Sequence, residues 1–159
     1  MKLLLIRHSL ALDISEFRGH DFDRPLSHRG VKRAFRFFKV LKHVYPSVDY
    51  IVTSPAVRAK QTAEVMKKFY DAKLIEEPKL YPGATPEDFE EVLKKYEGTV
   101  AVVGHEPDLS SFIKYICLSP NLNIKLSKPS LVEIEGDVLK ALFQYKQIKA
   151  IYENAFKDS

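Results

Sequence analysis

Two histidines and two arginines stand just beyond three short apolar runs, and side chains of these types together suit the handling of a phosphoryl group. Arg7-His8 follows LLLI, Gly104-His105 follows VAVV, and Ser54-Pro55-x-x-Arg58 follows YIVT. A planar guanidinium offers paired donors to phosphoryl oxygens, and a histidine nitrogen can act as the nucleophile. Arg58 falls in the first turn of a helix for which Ser54 reads as N-cap and Pro55 as first residue. Free N–H groups and the helix dipole already favour an anion there. Ser54 is therefore assigned to capping rather than to nucleophilic attack. Arg7 and His8 are neighbours, and a regular strand would send them to opposite faces, so both reach one site only from a turn.

Bringing these residues together requires three strands side by side. Each run is short, β-rich and without alternation, the pattern of a strand buried on both faces of a parallel sheet. Open α/β sheets place their sites at the carboxyl ends of such strands. Between Ser9 and Pro25 the chain is polar and aperiodic, a long loop of the kind that is usually functional. Ser27 then caps a helix with Val31, Ala34, Phe35, Phe38 and Leu41 on its apolar face, while Arg29, Lys32, Arg33, Arg36 and Lys39 cover the rest. Tyr45-Pro46 ends it. A strand over 49–53 follows, then the Ser54 helix to about Tyr70 and a short strand over 73–75. After a proline-punctuated loop, Thr85-Pro86-Glu87-Asp88 opens a helix to about Tyr96, stopped by Gly98. A strand over 99–103, a helix over 109–118 and a hairpin built from 131–134 and 138–145 complete the chain. The expected architecture is one α/β domain over residues 1–159, a three-layer sandwich whose mostly parallel central sheet is flanked by helices.

Bulk composition agrees with a single soluble domain. The 159 residues are 45% hydrophobic and 29% charged, with a formal net charge of +4. That mild excess suits an anionic ligand without calling for nucleic acid, and the basic stretch 29–42 has no nucleic-acid module motif beside it. It reads as a solvated face able to steer acidic partners. Cys117 is the one cysteine, so neither an internal disulfide nor a cysteine metal cluster is available, and its apolar setting makes it a core thiol. His20, His28 and His43 lie in polar or helix-surface settings without metal-ligand spacing and read as solvated or capping groups. No signal-peptide core or membrane-length apolar run is present, so the expectation is a cytoplasmic protein without membrane contact.

Four blocks in order, LLLIRHSLA, D-x-x-RPLS-x-x-G at Asp21 to Gly30, SPAVRAKQTAE at Ser54 to Glu64 and VVGHEPDLS at Val102 to Ser110, resemble the histidine phosphatase (phosphoglycerate mutase-like) superfamily. The size and the RPLS and VGHEPDLS segments are most similar to its SixA-type branch of protein-phosphohistidine phosphatases. The resemblance covers residues 1–118. It implies a phosphoglycerate mutase-like fold, His8 as a transiently phosphorylated nucleophile, and Arg7, Arg58 and His105 as the clamp on the phosphoryl oxygens. It implies no metal and no cofactor, and phosphate, vanadate or sulfate is expected to fill the pocket.

Two positions depart from that family's pattern. Ser9 stands where glycine is usual, and near Tyr81, where many members carry a glutamate general acid, there is no carboxylate. Glu87 and Asp88 read as helix-start acids. Asp21 is then the candidate proton donor, and Arg24 either adds a phosphate ligand or pins the loop. Gln61, Thr62 and Glu64 read as packing and supporting groups. A phosphoester needs a delivered proton for its alkoxide, whereas a phosphoramidate leaves as a nitrogen base, so phosphohistidine carried on a protein is the expected substrate. The alternatives are a small-molecule phosphomonoesterase on the same fold and a non-catalytic phosphate- or phosphoprotein-binding module.

Overall fold

A computed structural model describes residues 1–157. Its sheet is formed by β1 (Lys2–Arg7), β2 (Tyr50–Thr53), β3 (Lys73–Glu76), β4 (Thr99–Gly104), β5 (Ser130–Glu135) and β6 (Val138–Gln144), in the order β3-β2-β4-β1-β5-β6. β3, β2, β4 and β1 run parallel, and β5 and β6 add an antiparallel edge beside β1. The three strands that carry the chemistry are thus adjacent, with β4 in the middle. The register sets Arg7 beside Gly104 and Thr53 beside Val103. The His8 amide donates to the Gly104 carbonyl at 3.1 Å and the Ser54 amide to the Val103 carbonyl at 3.0 Å, so the pairing continues one residue past each strand end.

Helices cover both faces. α1 (His28–Val44), α2 (Val57–Lys67) and α5 (Tyr145–Ile151) pack on one face against Leu4, Ile6, Ile51, Ala101 and Val103. α3 (Pro86–Leu93) and α4 (Asp108–Ile116) pack on the other against Leu3, Leu5, Val52, Val100 and Val102. Successive strand residues serve opposite layers, which explains why the runs show no alternation: both faces are core. A π-helical turn over Tyr152–Phe156 extends the first layer. Among the described residues no helix is long and apolar enough to cross a membrane. Cys117 is partly buried against the second layer, where burial raises its thiol pKa.

Several local expectations are corrected. The core face of α1 is Ala34, Phe37, Phe38 and Leu41, with Val31 and Phe35 exposed, because the i, i+3, i+4, i+7 stripe is set one residue further round the helix. α2, α3 and α4 end at Lys67, Leu93 and Ile116, earlier than expected, since their last turns close with three-residue bonds such as Tyr70 N–H to Lys67 carbonyl and Tyr96 N–H to Leu93 carbonyl. Tyr145 begins α5 instead of ending the hairpin; Gln144 precedes it as a cap without a side-chain bond, so no sequence signal marked the start. Ser27 and Thr85 cap as expected, the latter in a full capping box with Asp88. Ser54 does not cap: α2 starts at Val57 with Ala56 as cap, and the Ser54 hydroxyl instead accepts from the Ala56 amide at 3.2 Å and meets His105.

The loop after β1 is held to α1 at a place where only glycine fits. The Leu10 carbonyl accepts from the Ser27 amide at 3.0 Å, and a Cβ added at Gly30 would lie 1.9 Å from that same oxygen. Gly30→Ala must therefore push the loop off the helix, and the expected cost is about 1–3 kcal/mol, the usual penalty of overpacking. For a chain of this size that is a fall in Tm of roughly 2–12 °C. Thermal unfolding followed by circular dichroism checks it; an unchanged Tm would show that the loop yields freely.

Candidate active site

β1 and β4 present one histidine each at the carboxyl edge, and the two rings lie 5.2 Å apart between centroids at an angle of 55°. Both residues are buried, His8 6% and His105 3% exposed. His8 Nδ1 lies 2.6 Å from the Ser9 carbonyl, which can only accept, so Nδ1 carries the hydrogen and donates it. Nε2 is left as the basic nitrogen. His105 is held from the other ring nitrogen, Nε2 meeting the Ser54 hydroxyl at 2.7 Å, while its Nδ1 is buried without a partner.

The departure at Ser9 turns out to be structural. Ser9 is fully buried and keeps ordinary negative-φ backbone; its hydroxyl donates to the Gly30 carbonyl at 2.7 Å and its amide to the Thr62 hydroxyl at 3.0 Å. The Thr62 hydroxyl itself donates to the Arg58 carbonyl at 2.8 Å. Thr62 thus ties the backbone that carries His8 to the helix turn that carries Arg58. One turn along, Gln61 Oε1 accepts from the Leu26 amide at 2.7 Å and fixes the end of the long loop, whereas Glu64 is exposed.

Two arginines, Arg7 and Arg58, act on these rings, and two further cations lie near those arginines. Arg7 donates from Nη1 to the Leu126 carbonyl, and its Nε is buried and unpartnered. Arg58 donates to the Asp21 carbonyl at 2.9 Å and reaches the Asp21 carboxylate at 3.3 Å. Arg24 binds the Asp21 carboxylate at 2.9 Å and the Leu12 carbonyl at 2.7 Å, so it pins the loop while its charge stays near Arg58. The fourth, Lys128, was not singled out in the sequence. Residues 119–130 carry no motif, yet Leu126 and Ser130 both flank Arg7, and Lys128 lies between them, close enough to Arg7, Arg24 and Arg58 for their charges, after burial, to lower its pKa. Ser130 Oγ, next to Arg7 across the sheet, is also buried and unpartnered.

Electrostatics fix the protonation states. Burial first, and then the neighbouring His105, Arg58 and Arg7, hold the His8 pKa well below its usual value. Burial and the charges of Arg58 and Arg7 bring His105 down to about 4, against the opposing pull of Asp21. Both rings are neutral at pH 7. Asp21 is held ionised, chiefly by its bond to Arg24 and then by Arg58. Where a general acid was sought near Tyr81, a phenol stands instead, its ring stacked on Phe22 at 5.2 Å and the loop behind it anchored by the Asp108 carboxylate on the Gly83 and Ala84 amides. Glu106 faces Arg7 electrostatically while its carboxylate accepts from the Ser110 amide at 2.8 Å.

His20 caps the turn over 21–23, His28 is exposed, and His43 packs on Phe156, all away from the paired rings. Among the described residues no three His, Cys, Asp or Glu side chains are grouped to hold a metal ion. What the pocket holds is a neutral nitrogen base beneath a net positive rim. Its buried Arg7 Nε–H and His105 Nδ1 have no partner within the protein, and a tetrahedral oxyanion is the group that would satisfy the Arg7 donor.

Both histidines are expected to remain uncharged in the folded chain as the pH falls. Nitrogen-detected NMR should show His8 as the Nδ1–H tautomer, with neither His8 nor His105 becoming imidazolium between pH 7.5 and 5.5. Since the unfolded chain takes up those protons near pH 6.5, stability is full above about pH 6.5 and is lost as the pH drops toward 4. An imidazolium at His8 at pH 6 would contradict the assignment.

The chain is similar in sequence and fold to several known proteins. A sequence model of the histidine phosphatase superfamily (branch 1) matches residues 3–81, the span that carries Arg7, His8 and Arg58. An uncharacterized protein of Picosynechococcus sp. (strain PCC 7002) is 31% identical over 136 residues, 79% of this chain and 80% of the relative. Among solved structures, the protein histidine phosphatase SixA complexed with tungstate superposes with a TM-score of 0.77 at 17% identity, covering 93% of this chain and 99% of that one. A phosphoserine phosphatase of Entamoeba histolytica in complex with 3-phosphoglyceric acid gives 0.67 at 18% identity, covering 90% and 96%.

Proposed function

The chain belongs to the histidine phosphatase superfamily, and on that premise we propose that it is a phosphatase, working through a phosphohistidine at His8, that removes phosphate from phosphohistidine carried on a protein. The observation that carries the reading is the His8 tautomer: Nδ1–H is spent on the Ser9 carbonyl, leaving a neutral Nε2 lone pair in a site with an unsatisfied Arg7 Nε–H and an unpartnered His105 Nδ1. His8 Nε2 attacks phosphorus, an N–P bond forms, and the bond to the leaving group breaks. Arg7, Arg58 and His105 bind the phosphoryl oxygens, with Arg24 and Lys128 adding charge at the rim. Water then attacks the phosphorus of phospho-His8, the N–P bond breaks, phosphate departs with the water oxygen, and His8 returns to its neutral form. The residues assigned to these steps need no metal ion.

The identity of the leaving group follows from how protons are held. Asp21 is the proposed proton donor, but in the resting pocket it is ionised and bound to Arg24 and Arg58. It gains a proton only once a phosphoryl dianion has taken Arg58 and the like charge raises its pKa. That two-step supply handicaps an alkyl phosphate, whose alkoxide must be protonated as it leaves. Phosphohistidine departs as a neutral imidazole once its remote ring nitrogen has been protonated from solvent, so the bridging atom needs no delivered proton. The tungstate-bound SixA neighbour supports a phosphoryl-sized anion in such a pocket, and the 3-phosphoglyceric acid complex keeps a small phosphomonoester as the second reading.

His8→Ala should abolish turnover while the chain still folds. The wild type given a labelled phosphodonor should form an acid-labile, base-stable adduct that this variant lacks. Arg58→Ala should lower kcat about 10²-fold, as for loss of one preorganised anion donor. Full activity in His8→Ala would exclude the mechanism. Asp21→Asn should slow a sugar phosphate more than a phosphohistidine protein, measured as the ratio of the two changes in kcat/KM. A wild type that prefers the sugar phosphate by tenfold, ~1.4 kcal/mol at the transition state, would favour the small-molecule phosphatase instead.

A further inference from the structure

Positive charge does not stop at the pocket. Arg33 Nη1 donates to the Lys128 carbonyl at 3.2 Å, and from Arg33 the outer face of α1 continues through Arg29, Lys32 and Arg36, which line one groove with Lys149 and Tyr145. The seventeen residues of α1 include no acid. Among the described residues none of these four α1 cations has a carboxylate within ion-pair distance; the groove's one ion pair is Lys149 with Glu153 at 3.9 Å. Aromatic rings hold the guanidiniums instead, Arg33 lying 4.3 Å over Tyr145 and Arg36 5.4 Å over Tyr152. A ring fixes the position of a cation without cancelling its charge. Arg33 is crowded enough that burial, and then Arg29, lower its pKa.

An uncompensated basic ridge that leads to the rim of a phosphoryl pocket is complementary to an anionic surface that arrives with the phosphoryl group. Nucleic acid fits less well. Tyr145 and Tyr152 are already capped by guanidiniums, and the exposed Phe35 beside the ridge already packs on Phe69 and carries the Lys39 ammonium, so each ring a base could stack on is engaged. The ridge from Arg29 to Arg36 is also only about 10 Å long, too short to follow a phosphate backbone through many contacts.

We propose that the Arg29, Lys32, Arg33 and Arg36 face of α1 is a docking surface for an acidic protein, which delivers its phosphorylated histidine past Lys128 into the pocket. The delivered group rests on the phosphatase reading above; the surface does not. Such a contact raises the rate of productive encounter and weakens with salt.

The test uses the full chain with a phosphorylated histidine phosphotransfer domain of net negative charge, p-nitrophenyl phosphate and a short DNA duplex. In Arg29→Glu/Lys32→Glu/Arg36→Glu, kcat/KM on the phosphorylated domain should fall about tenfold or more at low salt and lose most of its salt dependence. Turnover of p-nitrophenyl phosphate should stay within about twofold of wild type, which also shows that the variant folds. Binding of the phosphorylated domain to the His8→Ala chain should weaken in parallel when the same three reversals are added. Unchanged kcat/KM on the domain, an equal loss on p-nitrophenyl phosphate, or tighter binding of the duplex than of the domain would each overturn the docking surface. If the wild type hydrolysed neither substrate, the phosphatase reading would fail, and the binding measurement would still decide the surface.

Discussion

An imidazole kept uncharged among guanidinium groups is the condition on which the rest of this structure depends. A protonated His8 has no lone pair to offer, and at the surface it would be partly protonated near neutral pH. Burial removes the proton but creates a second demand, because a neutral ring still has one N–H to satisfy. The Ser9 carbonyl meets it at 2.6 Å and thereby selects which nitrogen faces the pocket. The acceptor must therefore come from the residue next to the nucleophile, and the backbone there must leave regular strand just after Arg7. The fixed points around it follow: Ser9 bonded to Gly30 and Thr62, Thr62 bonded to Arg58, and Gly30 pressed against Leu10.

Concentrating Arg7, Arg24, Arg58 and Lys128 at one edge is costly by itself, and the chain offsets the repulsion locally. Carbonyl oxygens of Leu126, Leu12 and Asp21 accept from the three arginines, and two acids, Asp21 and Glu106, supply opposite charge. The balance stays positive. The buried Arg7 Nε–H is left without an acceptor and His105 Nδ1 without a partner, the arrangement that preorganised anion sites use.

The architecture and the meeting of His8, Arg7, Arg58 and His105 at one sheet edge were legible because each rests on a local signal. Unbroken apolar runs mark strands buried on both faces, and the residue just past a parallel strand has one edge to occupy. Features set by contacts between distant segments were not legible. Ser54 looks like a cap in sequence, but the helix starts later and its hydroxyl bonds the Ala56 amide and a histidine fifty-one residues away. Lys128 sits in a stretch without period or motif and acquires its place from the antiparallel edge that returns beside β1. The α1 stripe lies one residue from the expected one, since Phe35 and Phe37 are equally apolar and only the neighbouring layer decides between them. The role of Arg24 stayed undecided for a similar reason: it both pins the loop and lends its charge, and sequence spacing does not separate the two.

The pairing of Asp21 with Arg58 has a bearing on how the pocket empties. An arginine left bare would hold inorganic phosphate tightly, and the last product of any phosphoryl-transfer cycle would then occupy the pocket against the next arrival. Here the resting partner of Arg58 is a tethered carboxylate, at 3.3 Å, on a loop that also keeps its own anchor through Arg24. The affinity for an anion that took Arg58 would be only the difference between that ion and the carboxylate it displaced. Departure of such an ion would be assisted by a competitor that never leaves the chain, so a cradle of this kind can still release an anion.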